Sequence, residues 1–414
     1  MAPRIAVDLA PLRESRDFRL LFAGLLVSML GNQLTTVAIP FQVFTMTHSS
    51  LQVGLVSLAQ LVPLVVGSLI GGTLGDVMDR RRLMVISSAL SALAAAGLMA
   101  NALLPHPSLV AIYLISALAA GLLGLASPAR TAAIPRMVRP ELLVAAYSFN
   151  QIVIQVATIV GPAIAGILIA TVGLPWTYGL DAASFGGLLV TSLLLRPLPP
   201  QHGGQTAGLR SILAGMSYLR GRQALQGIYL IDLNAMIFGM PRALFPALAA
   251  GLFHVGPQGL GLLYAAPGIG ALLGASTTGW AERVERRGRA VVVAVIIWGA
   301  AVAVMGAVPW LWVALVLLAI AGWADVISAV LRNTILQTSI PDAMRSRLSS
   351  FQMAVVQGGP RLGDAEAGAV AAVSSTEISV ISGGVACVLG AIAIARLLPG
   401  FWEERHQPGE LAPT

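Results

Sequence analysis

The chain has 414 residues, of which 57% are hydrophobic and only 10% charged, and its mean hydropathy is +0.83. Soluble domains carry about 25% charged residues, so this chain cannot clothe a water-facing surface of its size, and lipid is its expected solvent. The formal charge of +7 comes wholly from arginine, and the absence of lysine excludes P-loop ATP hydrolysis and Schiff-base chemistry by this chain.

Residues 1–16 read as a polar arm. Twelve apolar stretches follow: 18–45, 51–74, 83–104, 109–130, 142–171, 177–195, 224–250, 258–280, 290–308, 311–335, 349–373 and 378–398. Each is near the roughly 20 residues that a bilayer span needs. The expected organisation is a six-helix bundle over 17–195, a central loop over 196–222, a second bundle over 223–398 and a tail over 399–414. In the loop, Leu209, Ile212, Leu213, Met216 and Leu219 share one helical face, which predicts an interfacial helix. With the N-terminus in the cytoplasm, 23 of the 25 arginines fall in cytoplasmic segments. The positive-inside rule then puts both termini in the cytoplasm of a multi-pass protein of the cell (inner or plasma) membrane. The arginines lie in short clusters between spans, which is a topological pattern and not a nucleic-acid surface.

The two halves echo each other. Gly67 and Gly72 return as Gly274 and Gly279, and DVMDRR from Asp76 returns as ERVERR from Glu282. Pro40, His48 and Arg130 have partners in Pro246, His254 and Arg332. These echoes predict an all-α membrane protein of twelve transmembrane helices in two pseudo-symmetric six-helix bundles, related as parallel repeats with a substrate site between them.

The stretch GTLGDVMDRRRL, Gly72–Leu83, packs acids and arginines into one short turn after the second span. It resembles motif A of the major facilitator superfamily, G-x-L-a-D-r-x-G-r-(k/r). Gly72, Leu74, Asp76, Arg80 and Arg81 match, while Val77 stands where arginine is usual and Asp79 where glycine is usual. The resemblance implies a cytoplasmic gate built on Gly72, Asp76, Arg80 and Arg81, echoed by Glu282 and Arg286. MTHSSLQVGL (Met46–Leu55), NALLPHPSLVAIYL (Asn101–Leu114), GLLYAAPGIGALLGA (Gly261–Ala275) and LQTSIPDAMRSR (Leu336–Arg347) are similar to the enterobactin exporter branch of that superfamily. That likeness implies the major facilitator fold. It also implies export of a catecholate siderophore or related metabolite by proton antiport and alternating access, with no cofactor beyond the proton gradient and a monomeric carrier. A broad-specificity drug or macrolide efflux antiporter of the same superfamily is the alternative. VATIVGPAIAG resembles the antiporter motif of span 5 at Gly161 and Pro162, with Ala157 and Ala165 in place of two glycines.

Charges inside spans are costly and face cavities or partners. Asp232 and Arg242 fall in span 7, with Phe238, Phe245 and Phe253 near Arg242. An arginine among aromatics suits a catecholate, and a structural ion pair is the other reading. Trp323 and Asp325 in span 10 and Asn32 in span 1 complete the expected cavity group. Asp232, Asp325 and Glu366 are the proton-carrier candidates. Arg361 and Asp364 are spaced to pair on one face, and Asp181 is expected at the outer interface. Cys387 reads as a small core residue, and metal-binding spacing is absent. An intramembrane enzyme would need a catalytic set, and neither H-E-x-x-H nor G-x-S-x-G occurs.

Overall fold

The computed structural model describes residues 9–199, 217–279, 284–340 and 342–404. Most of the expected loop helix, Glu282 and the end of the tail lie outside these residues. Among the described residues every regular element is helical. In chain order they are α1 Ala10–Glu14, α2 Arg16–Thr47, α3 Ser50–Val77, α4 Arg80–Leu103, α5 Leu109–Met137, α6 Leu143–Thr171 and α7 Gly173–Leu193. Then come α8 Gln223–Phe238, α9 Phe245–Gly251, α10 Pro257–Thr277, α11 Arg287–Met305, α12 Leu311–Ser339, α13 Asp342–Val373, α14 Thr376–Leu397 and α15 Pro399–Trp402.

Ten spans among the described residues are long and apolar enough to cross a membrane, with α8 and α9 counted as one. The two long helices outside that set are α7, which carries Asp181, and α13, which carries Arg361, Asp364 and Glu366. Internal polar residues lower their hydropathy without shortening them. On α5 the side chains of Val110, Leu114 and Leu118 form an exposed apolar stripe at helical spacing. Such a stripe suits hydrocarbon and not water.

The chain forms two compact units. One is Met1–Gln42 with Ala59–Thr206, and the other is Val43–Leu58 with Ala207–Thr414. In the first, Phe18 stacks on Phe22 at 4.2 Å between ring centroids, within a core that includes Leu83, Ile134 and Phe185. Helix α3 approaches α5 so closely that a Cβ at Gly67 would stand 2.0 Å from the Gly121 carbonyl oxygen. In the second unit α10 meets α12 in the same way, with a Cβ at Gly270 falling 1.8 Å from the Ala319 carbonyl. Small residues at such crossings let backbones touch, which is what drives helix association in lipid. The duplication shows also in the pairing of α4 with α7 and of α11 with α14. His48 and His254 are the two non-glycine residues with positive φ among those described, at 50° and 49°.

Span 7, expected as one helix over 224–250, is instead broken. Helix α8 ends at Phe238, a single 3-10 turn covers Arg242–Leu244, and α9 resumes at Phe245. Pro241 lacks an N–H and cannot continue the ladder. The freed backbone groups find side-chain partners, as they must away from water. The Trp298 indole donates to the Gly239 carbonyl at 2.7 Å, and the Tyr264 hydroxyl donates to the Arg242 carbonyl at 3.0 Å. The Ala243 N–H donates to an Asp364 carboxylate oxygen at 2.9 Å.

Candidate functional site

The turn between α3 and α4 is organised by a residue that departs from the motif. Asp79 is the N-cap of α4 and accepts from the Arg81 N–H at 2.8 Å. Both its oxygens also accept from the Leu198 N–H at 3.2 Å. Aspartate at this position satisfies orphan N–H groups of a helix start. Arg80 is buried and donates to the Ala132 carbonyl at 3.0 Å, while its own N–H donates to the Leu198 carbonyl. Arg81 reaches the last turn of α7, donating to the Leu193 carbonyl at 2.5 Å and to the Ser192 carbonyl at 3.4 Å. Arg136 donates to the Pro199 carbonyl. The turn therefore locks the starts and ends of four segments of one unit together. Asp76 makes no hydrogen bond among the described residues, though its charge acts on Arg80. Gly72 faces open space. In the second unit Arg286 is exposed, and it is Arg287 that is buried.

The second unit holds a chain of buried charges. Asp232 of α8 is ion-paired with Arg332 of α12, both buried. Asp325 lies within electrostatic reach of Arg332, Asp232 and Arg242. Asp364 is influenced by Arg242 and Arg361 and also accepts from the Ser57 hydroxyl. Three acids thus face three arginines, and their formal charges cancel.

Several expectations are corrected here. Asp232 and Arg242 do not share a helix, because the chain breaks between them. Arg361 and Asp364 make no ion pair among the described residues: Arg361 donates to the Gln357 carbonyl at 2.8 Å, and Asp364 is taken by the restart of span 7. Arg242 makes no cation–π contact with Phe238, Phe245 or Phe253 among the described residues. Phe245 instead packs edge-on against Tyr264 at 5.0 Å. Phe238 closes α8, and the Trp323 indole donates to Thr277 at 3.2 Å, tying α12 to α10. Glu366 is half-buried, without a partner among the described residues.

Asp181 is not interfacial. It is 2% exposed and accepts from the Thr35 hydroxyl at 2.5 Å and from the Ser184 hydroxyl at 3.3 Å. It lines a small cavity of about 30 Å³ together with Asn32, Arg130 and Phe185. A second cavity of about 200 Å³ shares those last three residues and adds Gln33 and Met29. Gly161 sits where α6 crosses α2: a Cβ there would fall 2.5 Å from the Gln33 Cβ. Pro162 is one of several helix-interior prolines, with Pro40, Pro63, Pro128 and Pro267, and α6 runs on through it.

A family model described as transmembrane secretion effector matches residues 6–410. The enterobactin exporter EntS of Citrobacter koseri is 32% identical over 402 residues, which cover 97% of this chain and 96% of that protein. The enterobactin exporter EntS of Escherichia coli (strain SMS-3-5) is 31% identical over 408 residues, covering 99% and 98%. Among solved structures, a POT family transporter in complex with 5-aminolevulinic acid matches with a TM-score of 0.75 at 11% identity, over 94% of this chain and 97% of that one.

Proposed function

The chain belongs to the transmembrane secretion effector family of the major facilitator superfamily, and from that premise we propose that it exports a catecholate siderophore or a closely related metabolite from the cytoplasm. The observation that carries this reading is likeness over nearly the whole length to proteins named as enterobactin exporters. Twelve spans in two bundles follow when α7 and α13 are added to the ten apolar spans, since both are long and interrupted only by internal polar residues. The arginine distribution supports cytoplasmic termini in the inner or plasma membrane. A single chain with its substrate and the lipid around it is sufficient for the cycle.

Export is coupled to proton entry, with alternating access as the mechanism. The coupling acid must be able to change partners. Asp232 is held by Arg332, whereas Asp325 has charged neighbours but no hydrogen bond among the described residues. Asp325 is therefore the favoured carrier, with Glu366 next. The Gly72–Arg81 turn serves as the cytoplasmic gate, and Asp79 holds its near side in place.

The test is iron-limited growth of a deletion strain, with siderophores inside cells and in the medium measured by mass spectrometry. Accumulation inside and loss outside, restored by the wild-type gene, is the expected result. An unchanged distribution would overturn the siderophore reading and move the assignment to drug or macrolide efflux. In proteoliposomes an imposed pH gradient should drive substrate movement by the wild type and not by Asp325→Asn.

A further inference from the structure

We infer that the cavity of the first unit is the seat of one acidic aromatic group of the cargo, with Arg130 as its counter-charge. This rests on the export reading above and assigns where in the carrier the cargo's charge is read.

The two repeats are asymmetric at Arg130 and Arg332. Arg332 has Asp232 as its partner. Its counterpart Arg130 has neither a hydrogen bond nor an ion pair among the described residues. The register set by Pro40–Pro246 and His48–His254 puts Leu26 where Asp232 stands. The only acid of α2 is Asp17 in its first turn, which faces Arg196 at 4.0 Å. Asp181 lines the small cavity beside Arg130 but makes no ion pair with it; its carboxylate accepts from the Thr35 hydroxyl at 2.5 Å. Among the described residues no acid forms an ion pair with Arg130.

The cavity has the chemistry to receive an anion from outside. The side-chain amides of Asn32 and Gln33 also have no partner among the described residues. Arg130, Asn32 and Gln33 thus bring a planar cation and two amide groups to one space, whose lining also includes the apolar Met29, Leu123 and Phe185. A guanidinium can bond both oxygens of a carboxylate or catecholate, and its flat face suits an aromatic ring. About 200 Å³ is smaller than the roughly 300–1,000 Å³ of pockets for drug-sized molecules. The seat therefore holds one ring of a larger cargo and not the whole.

The test uses the full chain in lipid nanodiscs and two probes of equal shape, 2,3-dihydroxybenzoate and the neutral 2,3-dihydroxybenzamide, with binding followed by calorimetry. The wild type should prefer the acid. Arg130→Gln should weaken the acid about tenfold or more and the amide by clearly less. Arg130→Lys should keep part of the preference. Should Arg130→Gln not fold, Asn32→Ala provides the second reading: weaker binding of both probes with the preference for the acid retained. Equal binding of the acid by Arg130→Gln and wild type, or equal loss of both probes with no recovery in Arg130→Lys, would overturn the assignment. Failure of the two readings is distinguishable. Acid-selective binding without siderophore export sinks only the export reading, and export without acid-selective binding sinks only the seat.

Discussion

The Asp232–Arg332 pair offers the sharpest test of how the second unit is held together. Both side chains are buried, at 4% and 5% exposure. Removing one partner of a buried pair leaves a lone charge and costs about 3–5 kcal/mol. That is a large share of a net stability of roughly 5–15 kcal/mol. Asp232→Asn and Arg332→Gln should therefore each be strongly destabilised. If the two losses were independent, they would sum to about 6–10 kcal/mol in the double variant. Replacing a buried pair by neutral groups of similar size is often nearly neutral, so the double variant should recover most of that loss. Recovery will be incomplete, because Asp325 loses one of its two nearby arginines and keeps Arg242. Unfolding of the purified variants in detergent measures the coupling. Export in iron-limited cells then separates structure from mechanism: a structural pair lets the double variant export, whereas a proton carrier at Asp232 leaves it inactive although folded. Mild single losses that simply add would refute the reasoning.

Three further outcomes follow from the same geometry. Asp79→Ala removes the cap of α4 and the acceptor for Leu198, costing about 1 kcal/mol for the cap alone; protease cleavage between Leu195 and Pro199 should speed up, and no change would show that the clamp does not hold this segment. Gly161→Leu would drive a side chain into Gln33; stability should fall by about 1–3 kcal/mol and binding of the acidic probe with it, and wild-type behaviour would deny the close crossing. Burial raises the Glu404 carboxyl above its ordinary 4.5, with Arg287 opposing. A raised folded value gives stability that is present below the unfolded value and lost as pH rises through the folded one. The wild type should therefore gain on acidification from neutral pH relative to Glu404→Gln, and parallel pH profiles in thermal unfolding would contradict this.

Most of the fold was legible because hydropathy fixes spans almost without reference to tertiary contacts. The limits were local. The break in span 7 was hidden because Gly239-Met240-Pro241 is apolar enough to read as span, although Pro241 marked the place. Asp79 looked like a flaw when set against the motif's glycine. Read as the acid preceding a run of helix at Arg80, it carries an ordinary N-cap signal. Asp181 was misplaced because its partners, Thr35 on α2 and Ser184 on its own helix, become visible only once α2 and α7 are packed. Spacing brought Arg361 and Asp364 onto one face, but spacing cannot show that a broken helix elsewhere claims the carboxylate first.

The arginines show why repeated sequence does not mean repeated chemistry. Counted for topology, Arg130 and Arg332 are equivalent and both read as cytoplasmic, yet both lie within the span helices α5 and α12. In the packed units one is neutralised and the other opens onto a cavity. An arginine at membrane depth costs about 2.5–3.5 kcal/mol on insertion scales. For Arg332 that cost is offset permanently by Asp232. For Arg130, water offsets it while the cavity is wet. An anion offsets it once water is excluded, since the pair is worth more as the local dielectric falls. Dehydrating the empty cavity is then unfavourable, and dehydrating the loaded one is not. A site of this kind links closure to loading through one unpaired charge, so neutralising Arg130 should loosen that link in addition to weakening binding.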